Sequence, residues 1–365
     1  MDKYSEKGGA GMKRGKKILS MALAALLLAA APGASALAAP VSAAPAGQVS
    51  YLTGQPVAAG QQSQRPIAVM LNNIKSGCPQ SGIAEASVVY EAPVEGRITR
   101  LMGLYENWPA IENIGYVRSS RDYFVYCALE HDAIYCHYGQ ATPYVGDLLN
   151  SPRVDNVSGA VAGINVPAQT SYSRTGRRKA PHNVLASGSG ILKDVQRLGY
   201  SQTYHQTFKP KFVFMQPNEL GMYAAYPTVT QIYPGGTTAN KRNGYSRVQA
   251  RFVYENGKYY RYQYGKKQVD EKTGQQIAYD NVILQYCNGE VRDKNDYLAF
   301  GCHGDIGAPV QVFTQGKAIN GTWTRHADGD PAVYVDQNGQ RIKLTPGKTW
   351  ICLVWNDYAG DVVLK

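Results

Sequence analysis

The sequence has no Gly-x-Ser-x-Gly elbow, no His-Glu-x-x-His, no phosphate-binding loop and no dinucleotide fingerprint. The best-known hydrolase, zinc-protease and nucleotide-dependent chemistries therefore find no machinery in it. It has no Cys-x-x-Cys, and its six histidines, at 131, 137, 182, 205, 303 and 326, include no close ligand pair, so neither a metal nor another cofactor is implied. No run of five or more basic residues accompanies the net charge of +11, and no nucleic-acid-binding signature does either. Nucleic acid is therefore not an expected partner.

Past the N-terminal region there is no stretch of 18 consecutive apolar residues, so no membrane-spanning helix is expected in the mature chain. Residues 1–38 read as a Sec-type signal peptide. Lys13, Arg14, Lys16 and Lys17 precede an apolar run at 18–31, and Ala36-Leu37-Ala38 supplies a cleavage site; the start is Met1 or Met12. The first cysteine is Cys78, so no lipid-anchoring cysteine follows the apolar run and a secreted or cell-surface protein is expected. Export permits disulfides without requiring them. Four of the six cysteines, Cys127, Cys136, Cys287 and Cys352, sit among apolar neighbours, where a free thiol behaves as a small hydrophobe.

The 365 residues suffice for two domains. Residues 39–64, rich in Ala, Pro, Gly, Ser and Gln, read as a disordered linker. An α/β domain is expected over 65–228, with strands near 67–71, 87–91 and 98–105 and a helix carrying Ile191, Leu192, Val195 and Leu198 up to Gly199. Over 229–365 the texture changes to short strands, with a hairpin turning at Glu255-Asn256-Gly257 among alternating tyrosines, so the fold class is α+β, with a mostly-β C-terminal domain.

The stretch that organises the first domain is 115–143, which reads strand, helix, strand. Ser119 stands where the helix should begin, flanked by Arg118 and Arg121, and a helix N-terminus with two guanidinium groups is a ready anion pocket. His137 and Gly139 fall at the end of the second strand, and a basic loop follows with Arg174, Arg178, His182 and Asn183. These residues are the candidate ligand set. The alternative is structural: Arg118 could pair with Glu91 or Glu95. Cys302-His303-Gly304-Asp305 reads as a turn rather than a thiol–imidazole pair, since neighbours in a strand point to opposite faces.

Several separated motifs occur in order: Arg65-Pro66-Ile67-Ala68-Val69-Met70, Gly115-Tyr116-Val117-Arg118-Ser119-Ser120-Arg121, His137-Tyr138-Gly139, Arg178-Lys179-Ala180-Pro181-His182-Asn183 and Pro346-Gly347-Lys348-Thr349-Trp350. Together they resemble the YerB-like family of predicted bacterial lipoproteins. The resemblance implies a two-domain extracytoplasmic protein without an established activity. A likeness to cell-wall L,D-transpeptidases fails, because no Ser-His-Gly-Cys segment follows His137. The reading is an envelope binding or accessory protein taking an anionic ligand, a muropeptide carboxylate or a wall-polymer phosphate. The alternatives are an envelope hydrolase or transferase using His137 or His182, and a module binding an envelope protein through the Tyr-rich β domain.

Overall fold

In a computed structural model, which describes residues 48–365 apart from 143, 160–161 and 240–242, the apolar runs assemble a ten-stranded mixed sheet. Its strands are β1 (Ile67–Leu71), β2 (Val88–Val94), β3 (Ile98–Tyr105), β4 (Ile134–His137) and β5 (Asn156–Ser158) from the first half of the chain. The second half adds β6 (Asn281–Cys287), β7 (Ala308–Thr314), β8 (Lys317–Thr324), β9 (Val333–Asp336) and β10 (Thr349–Trp355). Their order across the sheet is β9-β8-β7-β6-β10-β2-β3-β1-β4-β5. β1, β4 and β5 run parallel to one another, as do β2, β10 and β6, and the remaining pairings are antiparallel.

Both faces of the sheet are covered, which is why β1 and β2 are continuous apolar runs rather than alternating ones. Ala68 and Met70 enter one core, while Ile67, Val69 and Leu71 enter the other. Tyr90 and Val89 divide in the same way. With 36% of residues in strands against 15% in helices, the class is mostly β. The helices that matter to the site are α1 (Asp122–Leu129) and α2 (Gly188–Leu198). The Ser187 hydroxyl caps α2 by accepting from the Gly190 N–H, and Gly199 ends it in the left-handed region.

Two expectations are corrected here. The described residues, from 48 onward, fall in one compact unit, because Val88–Glu91 of β2 lies in parallel register beside Thr349–Cys352 of β10. The change of texture near 228 marks entry into a second sheet of six strands, among them Gln231–Tyr233, Arg251–Glu255 and Lys258–Gln263, and not the start of a separate core. In that sheet the expected hairpin forms, with Tyr254 opposite Tyr259 and a turn at Asn256 and Gly257, both at positive φ. The second correction concerns the linker: residues 48–64 are folded onto the domain. Leu52 is buried in the core, Tyr51 packs on Tyr204 and Phe208, and the Ser50 hydroxyl donates to Glu106 at 2.6 Å. A composition that cannot make its own core can still be ordered by an existing one. The signal peptide, its cleavage site and residues 39–47 lie outside the described residues. Among the described residues no helix is long and apolar enough to cross a membrane.

Candidate functional site

The carboxyl ends of β1 and β4 release the chain at Asn72 and Tyr138, and the segment 116–121 crosses between them. Val117 is held by Val184, and Arg118 by its N–H to the Met70 carbonyl at 3.0 Å. Gly139, at φ 94°, lies so close to Ser119 that a Cβ there would fall 2.5 Å from the Ser119 hydroxyl, so only glycine fits. Ligand sites of open sheets with parallel strands form outside such strand ends.

α1 begins two residues later than expected. Its N-cap is Arg121, with no side-chain cap, and Ser119 lies outside the helix. The Asp122 carboxylate accepts the Tyr123 N–H at 3.0 Å and pairs with Arg292 at 2.5 Å. A carboxylate of the protein therefore occupies the helix terminus, and the expected anion pocket at that point is closed.

The arginines separate by their partners. Arg121 is buried and grips Glu95 with two N–H groups, Nε at 2.9 Å and Nη2. Arg178 is a structural clasp: its guanidinium donates to the carbonyls of Ser76, Cys78 and Pro79, reaches Glu271 at 3.1 Å and lies 4.4 Å from the Tyr116 ring centre. Arg174 donates to Asn183 Oδ1 at 2.7 Å and covers Tyr138, so this pair is engaged with itself at the rim. Arg118 differs from all three. It reaches only the Pro181 carbonyl, at 3.0 Å, with no side-chain oxygen as partner, and its Nε, like that of Arg178, is enclosed without a hydrogen bond. The expected pairing of Arg118 with Glu91 or Glu95 does not occur, because Glu95 is taken by Arg121 and Glu91 by Arg261, at 2.8 Å in the core. Arg261 is held there between Phe252 and Trp350, and Glu91 also accepts from Thr99 and Trp350.

Arg100, which the sequence reading passed over, completes the group. Its Nη1 donates to the Ser119 carbonyl at 3.0 Å, and its nearest carboxylate is Glu95 at 3.9 Å. Arg100 and Arg121 thus share Glu95, and Arg118 is left without a carboxylate. Burial and the neighbouring Arg100 charge bring the Arg118 pKa down to about 10, which still leaves it charged at neutral pH.

The two histidines have different fates. His137 is fully buried, with Nδ1 2.7 Å from the Gly139 carbonyl and Nε2 2.7 Å from the Asn156 amide. Burial pushes its pKa down to about 4, so the ring is neutral. A carbonyl can only accept, so Nδ1 carries the proton and the Asn156 amide must turn its N–H toward Nε2. Nothing is left over for a ligand, and the expected role of His137 is withdrawn. His182 is half-buried, and its Nδ1 accepts from the Asn72 amide at 2.9 Å, which places its proton on Nε2. Burial, Arg118 and Arg178 all push its pKa down. The arrangement that remains is Arg118, Ser119, His182 and Asn72, backed by Arg100. Beyond the loop held by Arg178, a cavity of about 290 Å³ lined in part by Lys75, Lys266 and Lys267 extends the basic character.

Residues 52–201 match the N-terminal domain, and residues 238–351 the C-terminal domain, of a family described as a protein of unknown function, DUF3048. The chain belongs to the DUF3048 family. A relative in it is the "Putative lipoprotein YerB" of Bacillus subtilis (strain 168), 27% identical over 303 residues that cover 83% of this chain and 85% of the relative. The crystal structure of the YerB protein from Bacillus subtilis superposes with a TM-score of 0.72 at 25% identity, covering 87% of this chain and 99% of that one. The YerB-like resemblance in the separated motifs is thereby borne out, and the two family segments meet in one sheet through β2 and β10.

Proposed function

We propose that this DUF3048 protein is an extracytoplasmic binding protein of the cell envelope that takes an anionic group, a muropeptide carboxylate or a wall-polymer phosphate, at Arg118. The observation that carries the reading is uncompensated guanidinium charge: Arg100 and Arg121 already turn to Glu95, while Arg118, which feels the like charge of Arg100, meets only the Pro181 carbonyl and has no carboxylate partner. An anion seated there would accept from Arg118, from the Ser119 hydroxyl and from His182 Nε2–H, a set suited to planar oxyanions. Its negative charge would also raise the His182 pKa, so binding should favour uptake of a proton by that ring. A hydrolase or transferase has less support, because His137 is neutral and engaged at both nitrogens, and His182 has no nucleophile at a recorded hydrogen-bond distance.

Calorimetric titration of defined muropeptides and of teichoic-acid fragments against wild type and Arg118→Ala tests the reading. Loss of a charge-assisted contact costs about 1.5 to 3 kcal/mol, or roughly one to two decades in affinity. The expected result is that loss with an unchanged melting temperature. Equal binding by both proteins would reject the site, and turnover of a fragment that His182→Ala abolishes would favour the enzyme.

A further inference from the structure

Cys127 on α1 and Cys302 in the turn after β-strand residues 298–300 bring their sulfur atoms to 4.0 Å, although 175 positions separate them in the sequence. Both lie in the same apolar core, each 1% exposed, and Cys302 also points its thiol at the Tyr123 carbonyl, 3.5 Å away. The pair adds a sulfur contact between two parts of the fold that the Asp122–Arg292 ion pair and the hydrogen bond from Arg325 to the Tyr126 carbonyl already join. α1 follows directly on the Arg118–Arg121 segment, while the 302–304 turn belongs to the second half of the chain.

The surroundings of the two sulfurs are unequal. The buried Arg325 donates to the Cys302 carbonyl at 3.2 Å, and His303 stacks on Tyr126 of α1 with ring centres 4.0 Å apart. His303 Nδ1 and Asp305 Oδ2 are enclosed without a hydrogen-bond partner, so this turn holds polar groups that its packing does not explain. The hydrogen bond from Cys127 and the nearby His303 and Arg325 bring the Cys302 thiol down to about 6, while burial and Cys302 push Cys127 up. Cys302 is thus the nucleophilic partner. It is also the one on a turn, two and four positions from the exposed Gly304 and Ile306.

We propose that Cys127 and Cys302 form an oxidisable dithiol that closes to a disulfide by exchange with a small-molecule or protein disulfide. Cys302 thiolate attacks one sulfur of the oxidant and expels the other as a thiolate, giving a mixed disulfide. Cys127 then gives up its proton to solvent and attacks the Cys302 sulfur, and the second oxidant sulfur leaves as a thiol. Two protein thiols lose two protons and two electrons, and the oxidant is reduced to two thiols. The bridge would tie α1, and with it the Arg118–Arg121 segment, to the second half of the protein. An extracytoplasmic location supplies suitable oxidants, but the chemistry is a property of the pair and can be read on purified protein wherever the chain resides.

The experiment is oxidation of the purified full chain with oxidised glutathione, against a sample kept in a phosphine reductant, followed by alkylation and peptide mapping. The expected intact mass falls by about 2 Da, the two hydrogens of one bridge. The linked peptides should contain Cys127 and Cys302, with the other four thiols alkylated. Cys287 lies in the same core and is the competing partner, so Cys287→Ala should still form the bridge. Linkage of Cys302 to Cys287 in the wild type, a lasting glutathione adduct on Cys302, or six alkylated thiols after oxidation would each overturn the proposal.

Discussion

Acidification from pH 7 to pH 4 should cost this protein much of its stability, and two histidines account for the larger part. His131 and His137 are 1% and 0% exposed. His131 Nε2 contacts the Tyr90 hydroxyl at 2.8 Å and stands close to the charges of Lys211 and Arg325; burial first, then those cations, bring its pKa down to about 3. His137 is brought down by burial to about 4. In an unfolded chain each would titrate near its ordinary value of 6.5. Between 6.5 and the folded value the unfolded chain holds the proton and the native one does not, so the stabilisation is complete above 6.5 and is lost as the pH falls. At about 1.4 kcal/mol per unit, the fall from 6.5 to 4 costs roughly 3 kcal/mol for each ring, about 6 together, which compares with a total stability of about 5 to 15 kcal/mol. Glu130 adds to the loss below its ordinary 4.5. Burial opposes its charge, but Lys211 and Arg325 outweigh that and hold its pKa to about 2. Glu106 works in the opposite sense, since burial raises its pKa. The assay is urea unfolding at pH 7, 6, 5 and 4, with His131→Gln and His137→Gln beside the wild type. Each variant should start less stable and lose about half of the slope. A wild-type stability that stays flat between pH 7 and 4.5, or a slope unchanged in both variants, would refute the burial of neutral rings.

Arg178→Ala should lower the melting temperature by a few degrees, because the clasp holds three carbonyls and Glu271 and a chain this long shifts by about 2 °C or less per kcal/mol. Differential scanning calorimetry checks this, and an unshifted transition would return Arg178 to the ligand set. Arg261→Met should destabilise by about 3 to 5 kcal/mol, since it leaves Glu91 charged and unpaired in the core, while adding Glu91→Leu should restore most of the loss. Denaturant unfolding of both proteins measures it; equal stability of the single and double variants would sink the argument. Residues 48–228 expressed alone should fail to unfold cooperatively, because β2 loses β10 along Val88–Glu91. A soluble fragment with protected amides at 88–94 would show that the first half is self-sufficient after all.

The strands were legible where one residue type dominates a short run. Ile67–Leu71 and Val88–Val94 are apolar at nearly every position, because both faces of the sheet are covered. The Asn256-Gly257 turn and the Gly199 end of α2 were legible for a different reason, since their chemistry is local. What the sequence could not supply was pairing across distance. Nothing near Glu91 shows that Arg261 will neutralise it, 170 positions away, or that Glu95 will go to Arg121 and leave Arg118 with a carbonyl. The same limit explains the linker, whose order comes from Leu52, Tyr51 and Ser50 finding partners that only the finished domain provides. Of the candidate site, Arg118, Ser119 and His182 stay near one another, while His137, Arg121 and Arg178 proved to be held by the protein itself.

The position of β10 between β2 and β6 carries a consequence for the order of events when the chain is made. β2 is among the first apolar strands to emerge, yet its parallel neighbour is the segment Thr349–Trp355, more than 250 residues later. Until those last residues arrive, β2 presents an open, apolar edge, the kind of surface that recruits other unpaired strands. Non-local parallel pairing is also slow to form. The nascent chain therefore has to be kept apart from its copies for nearly its whole synthesis. An escorting chaperone meets that need, and a late truncation would be as damaging as an early one.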